Sequence, residues 1–203
     1  MKRLRIVRAG PWTLSLAALV AFGLYGNGLF EPKPRRMAST PDRTQIGGPF
    51  RLTSHKGEVL TDGDFEGRPL AVFFGFTHCP EVCPTALLEM TELLAALGPD
   101  ADKVTALFVT VDPERDTKQI LADYLRAFDP RIVGLTGTIA EVEAAARAYH
   151  AYFRKVPIEG GGYTMDHTAT TYLMRPGGGM ANALDPHEPR ETRLLKLRRL
   201  IAR

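Results

Sequence analysis

Apolar positions along the chain follow two rhythms. Three stretches are apolar on both alternating faces: 69–76 (P-L-A-V-F-F-G-F), 104–111 (V-T-A-L-F-V-T-V) and 131–135 (R-I-V-G-L). Runs of that length and character fit parallel strands covered on both sides. Between and after them, helical spacing takes over. Residues 85–97 keep a helical pattern up to Gly98 and Pro99, and 117–128 place Ile120, Leu121, Tyr124, Leu125 and Phe128 on one stripe, with Asp116 or Thr117 as N-cap. Residues 138–153 open with a capping box, Thr138 followed three later by Glu141. This alternation predicts an α/β fold with helices on both faces of a central sheet.

The flanks carry weaker patterns. Residues 49–60 read as a hairpin turning at Lys56-Gly57, and 154–163, with glycines at 160–162, read as a loop. Residues 164–174 are rich in β-branched and aromatic side chains, and 180–184 return antiparallel after the turn at Gly177–Gly179, which makes the sheet mixed. The last helix, about 190–202, is expected to turn Leu194, Leu197, Leu200 and Ile201 inward and its arginines toward solvent.

Before residue 49 the pattern is different. Residues 12–30 are free of charge, and nineteen residues of helix span about 28 Å, enough for a bilayer core. Trp12 and Tyr25 suit the two interfaces, and the basic segment 1–11 puts the N-terminus in the cytoplasm. The expected layout is therefore a basic segment at 1–11, a transmembrane anchor at 12–30, a proline-containing tether at 31–48 and one domain at 49–203 on the outer side of a bacterial inner membrane. A cleaved export signal is the alternative, because the most apolar part, 13–25, has only the length of a signal-peptide core.

Charge supports that division. The chain carries 26 Lys/Arg and 23 Asp/Glu, but seven of the cations and only one of the acids lie in residues 1–36, so the remainder is net negative. No basic face for nucleic acid is expected.

Chemistry concentrates in 77–84 (T-H-C-P-E-V-C-P), which holds the only two cysteines, Cys79 and Cys83, between a strand and a helix. Three residues between the sulfurs are too many for a thioredoxin-type C-x-x-C, and a four-sulfur zinc site needs a second pair that is missing. Pro84 suits the first position of the helix, which would place Cys83 near the N-cap with a thiol pKa lowered by the helix dipole. A structural disulfide is the plain alternative. A metal site needs a third ligand from elsewhere, and five histidines compete. His55 and His187 lie in polar turns, His150 sits between tyrosines on a helix, and His78, adjacent to Cys79, suits a supporting donor better than a ligand. His167 follows a glycine-rich loop able to fold over the carboxyl end of the sheet, where α/β sites gather. Two thiolates and one imidazole make a soft trigonal set that suits Cu(I), with Asp166 placed to fix the loop or the imidazole tautomer and Met165 a soft auxiliary or a core residue. A thiol–disulfide oxidoreductase or peroxidase using Cys79 and Cys83, with Thr77 upstream, remains the rival.

Four ordered segments now carry a resemblance: F-T-H-C-P-E-V-C-P-T (76–85), V-T-V-D-P-E-R-D-T (109–117), A-F-D-P-R-I-V-G-L-T-G (127–137) and Y-T-M-D-H-T-A-T-T-Y-L-M (163–174). Together they resemble the Sco/SenC family of membrane-anchored copper metallochaperones for cytochrome c oxidase assembly. The resemblance implies a thioredoxin-like fold, copper on Cys79, Cys83 and His167, and Asp112 as the family's acid near the site. It also implies delivery of copper to the binuclear centre of oxidase subunit II, or reduction of that subunit's cysteines by the Cys79/Cys83 pair. A copper donor and a thiol reductant are then required partners. The segment M-A-N-A-L (180–184) lacks the aromatic residue expected there.

Overall fold

The computed structural model of the protein describes residues 46–202. The expected anchor at 12–30 and nearly all of the tether lie outside them; among the described residues no helix is long and apolar enough to cross a membrane.

The core is organised on strand β3 (Leu70–Gly75), all six of whose residues are buried. β3 pairs in parallel with β4 (Thr105–Thr110), and β4 with β5 (Ile132–Thr136). Helices α1 (Val82–Leu97) and α2 (Lys118–Leu125) make the two crossovers. A hairpin of β1 (Arg51–Ser54) and β2 (Val59–Thr61) closes one edge through an antiparallel β1–β5 pair. At the other edge β8 (Thr171–Met174) runs antiparallel to β3, and β9 (Met180–Leu184) to β8. The seven-stranded mixed sheet thus has the order β2-β1-β5-β4-β3-β8-β9.

Alternation along β3 assigns its faces. Phe73 stacks on Phe108, which meets Tyr124 of α2, while Phe74 meets Tyr149 at the end of α3 (Ile139–Ala148) and Tyr172 of β8. Helices therefore cover both faces, as the continuous apolar runs predict. Thr117 and Thr138 cap α2 and α3 as expected, each hydroxyl accepting an N–H three residues on, and the Thr138/Glu141 capping box is formed.

Several expectations are corrected. The segment 154–163 is not a loop: Phe153–Pro157 is strand β6, pairing antiparallel with β7 (Tyr163–His167) in a separate two-stranded sheet. The helix expected to reach 153 ends at Ala148, where His150 takes a left-handed φ of 52°. Only Phe153 and Val156 of β6 are even half-buried, so the strand leaves almost no apolar signature. The single run 164–174 splits at 168–170 because its halves serve different sheets. In α4 (Arg190–Ile201), Leu197 and Leu200 point inward as expected, but Arg193 is buried too, paired with Glu89 of α1.

Candidate metal centre

β3 and β4 end side by side, and β8, running the other way, begins beside the end of β3, with Phe73 opposite Thr171. Whatever precedes β8 is therefore delivered to the loop that follows β3. That brings His167 to the cysteines: Cys83 Sγ and His167 Nε2 are 3.4 Å apart, and one donor atom from each of Cys79, Cys83 and His167 lies within 4.8 Å of the others. The His167 Nδ1 is 3.0 Å from the Thr168 carbonyl oxygen. A carbonyl only accepts, so Nδ1 carries the proton and Nε2 presents its lone pair to the sulfurs. The rings of Phe76 and Phe73 stand edge-on to the imidazole at 5.7 and 6.1 Å.

The two cysteines differ. α1 starts at Val82, earlier than expected, so Cys83 lies inside the first turn and Pro84 is the third helical residue, where the missing N–H is still not needed by the helix. Cys83 is fully buried, and its sulfur accepts the Phe76 N–H at 3.5 Å. A Cβ on Gly75 would stand 2.8 Å from that sulfur and 2.7 Å from the Phe108 ring, so only glycine fits there. Cys79 is half-exposed and its sulfur accepts the Cys83 N–H at 3.3 Å. The expected order of acidity is thus reversed. Hydrogen bonding from the Cys83 thiol, helped by its backbone N–H, holds the Cys79 thiol well below the ordinary range, whereas donating that bond, together with burial, pushes Cys83 up. The helix N-terminus does act on a sulfur, but on the one just outside the helix. Both cysteines are free thiols.

The remaining candidates are distributed differently from expectation. His78 stays outside the donor cluster: its Nδ1 is 3.0 Å from Thr77 Oγ1 and 3.7 Å from Asp116 Oδ1, and its side chain is half-exposed. Asp166 does not set the imidazole tautomer, because it lies at the surface, 3.6 Å from Arg154, while the Thr168 carbonyl takes that role. β-strand alternation explains this, since neighbours on a strand face opposite ways. Met165 is buried in the core. Asp112 is buried outside the donor cluster; it takes the Tyr163 hydroxyl at 2.8 Å and pairs with Arg115. His55 is more than a surface residue, since its Nδ1 accepts the Gly134 N–H at 3.0 Å and burial lowers its pKa, while His150 and His187 are exposed.

One residue that pattern reading assigned only to capping matters most for the loop. Asp116, fully buried, accepts the Thr77 N–H at 2.9 Å, the Thr77 hydroxyl at 2.6 Å and the Thr110 hydroxyl at 2.6 Å. It ties the cysteine loop to the end of β4. The two aspartates of D-P-E-R-D, four apart at a strand end, were the signal that could have pointed to it.

The SCO1/SenC family model matches residues 38–202. The human protein described as SCO1 homolog, mitochondrial, is 47% identical over 139 residues, covering 66% of this chain and 45% of that protein. The fission-yeast (Schizosaccharomyces pombe) protein sco1 is 36% identical over 175 residues, covering 81% of this chain and 66% of its own length. Against the human and mouse relatives the chain spans about half of their length, 45% and 48%. Among solved structures, Bradyrhizobium japonicum ScoI with copper bound matches with a TM-score of 0.72 at 47% identity, covering 76% of this chain and 99% of that one. Yeast Sco1 with copper bound matches at 0.72 and 35% identity, covering 78% and 89%. The mixed sheet with flanking helices is thioredoxin-like, as the resemblance implied. With the family model covering all of the described residues and the four motifs in order, the chain belongs to the SCO1/SenC family.

Proposed function

We propose that the protein is a copper carrier that takes up Cu(I) on Cys79, Cys83 and His167 and hands it to an acceptor by ligand exchange. The observation that carries this is the convergence of two sulfurs and one imidazole nitrogen within 4.8 Å. Bonds of about 2.3 Å to sulfur and about 2.0 Å to nitrogen, spread at trigonal angles, set donors about 3.7–4.0 Å apart. The 3.4 Å between Cys83 Sγ and His167 Nε2 needs only a small side-chain adjustment to reach that. Soft donors in an incomplete shell favour Cu(I) and leave room for an incoming ligand, so transfer needs no covalent bond of a substrate to be made or broken. Two relatives similar to this chain are described with copper bound.

By the family likeness, the acceptor is the binuclear copper centre of cytochrome c oxidase subunit II, served from the outer face of a bacterial inner membrane with residues 12–30 as anchor. A copper donor and a thiol reductant complete the cycle. A second reading rests on the paired free thiols, with Cys79 half-exposed and acidic. Its thiolate would attack a partner disulfide and expel one partner thiolate; Cys83 would then attack the mixed disulfide, leaving Cys79–Cys83 oxidised and the partner reduced.

Anaerobic Cu(I) titration of the full chain tests the carrier. One equivalent should bind the reduced protein, and the oxidised protein should retain little, because a disulfide offers no thiolate. His167→Ala should weaken Cu(I) binding by roughly a hundredfold while leaving disulfide reduction by the cysteine pair nearly intact. Equal copper retention after oxidation would overturn the ligand assignment.

A further inference from the structure

On β7, Tyr163, Met165 and His167 alternate and so share the face turned toward the domain. The two ends of that face are both engaged. At one end His167 meets Cys83. At the other, four residues and about 13 Å away along an extended strand, Tyr163 is gripped by the short segment that follows β4. Its hydroxyl donates to Asp112 Oδ1 at 2.8 Å, and its carbonyl oxygen accepts Arg115 Nη1 at 3.0 Å. The Arg115 guanidinium lies 3.9 Å from the Tyr163 ring centre while its Nε donates to Asp112. Lys155, on the partner strand β6, sits 4.6 Å from the same ring and pairs with Glu114.

Between the two ends, Met165 is buried in the core. Between the hairpin and α3 lies a cavity of about 230 Å³ bordered by Val111, Ile139, Val142, Phe153 and Met165. The hairpin's two strands form no ladder with the main sheet. Its tip, Gly160–Gly162, holds three consecutive left-handed glycines, and a Cβ added at any of them would meet nothing within 4 Å. Arg115 also reaches toward the His167 end, 5.9 Å from the ring of Phe76, which stands edge-on to the imidazole.

We infer that Asp112, Arg115 and Tyr163 form a latch that positions His167, so that the third donor is set by a grip made four residues away from it. These are positioning residues that touch no metal. The inference rests on the three-donor reading above, with the latch deciding how much of the time the imidazole is in place. Loss of the latch should leave the two sulfurs where they are and free the hairpin to move over the cavity.

Tyr163→Phe tests this with little risk to folding, because it keeps the ring and removes only the hydroxyl. In the full chain, Cu(I) competition with a chromogenic chelator should show about tenfold weaker binding, with the melting temperature of the copper-free protein nearly unchanged. X-ray absorption of the Cu(I) form should show a reduced nitrogen contribution at constant sulfur. Because the latch acts through His167, the Tyr163→Phe effect should vanish in a His167→Ala background. Wild-type affinity in Tyr163→Phe, or an equal loss in both backgrounds, overturns the latch while leaving the three-donor site standing. Wild-type affinity in His167→Ala overturns the three-donor site, and the latch with it.

Discussion

The cysteine loop and the β6–β7 hairpin meet at one site but are held in the molecule by different means. The loop is continuous with the core: it follows the fully buried β3, Cys83 in the first turn of α1 is packed against Gly75, and Asp116 holds Thr77. The hairpin stands outside the main sheet, forms no ladder with it, inserts Met165 into the core and borders a cavity against α3. Two ligands are therefore part of what folds the domain, and the third is an attachment to it. Substitutions behind the loop should cost stability and site together, whereas substitutions in the hairpin should cost the site alone.

The largest effect should come from Asp116→Ala. Removing the carboxyl group strands the Thr77 N–H and the hydroxyls of Thr77 and Thr110 in a buried setting. Loss of such a cluster costs roughly 3 kcal/mol, a fall in melting temperature of about 6–12 °C for a domain of this size. Thermal and urea unfolding of the copper-free protein would measure it. A loss below about 0.5 kcal/mol would mean that the loop holds itself, and the contrast with the hairpin would fail.

A second contrast lies within the loop. Cys79 is half-exposed and its thiol is held well below the ordinary range by hydrogen bonds from Cys83, while Cys83 is fully buried and pushed up. A lowered pKa means that thiolate persists as pH falls, so alkylation of Cys79 in the reduced, copper-free protein should change little between pH 6 and 9. An unperturbed thiol, titrating near pH 8.5, would slow steeply over the same fall. Cys83 should stay unmodified until the protein unfolds. Peptide mapping after iodoacetamide treatment reads both, and reversed labelling would return the low-pKa role to Cys83.

How much of this was legible in sequence follows the same division. Strands β3, β4 and β5 announce themselves as unbroken apolar runs because both their faces are covered, and Thr138 with Glu141 marks a helix start by local chemistry alone. The donors Cys79, Cys83 and His167 were legible through spacing and residue type. β6 was not, because a hairpin outside the sheet needs few apolar residues, and F-R-K-V-P offers two. Asp116 and Tyr163 escaped for a different reason: their contacts to Thr77 and Asp112 reach 39 and 51 residues along the chain and are made only by tertiary folding. The acidity of the two thiols was misassigned because it turns on where α1 begins. Val82 as the first residue, instead of Pro84, moves Cys83 from the cap into the first turn.

The smallest effect should come from Asp166→Asn, and its smallness carries information. Sequence adjacency makes Asp166 the natural orienter of the His167 ring, as carboxylates often are for metal-bound imidazoles. In the structure it faces away, in an exposed pair with Arg154, and the Thr168 carbonyl takes the Nδ1 proton instead. Exposed pairs of this kind contribute about 0–1 kcal/mol, so stability should hardly move, and Cu(I) affinity should stay within about twofold of wild type. Competition titration of Asp166→Asn beside Tyr163→Phe makes the comparison direct. The residue next to the ligand should be nearly silent, and the one four positions away should not. A tenfold loss in Asp166→Asn would show that the carboxylate swings inward when the metal binds, and the tautomer would then be set by a side chain instead of the backbone.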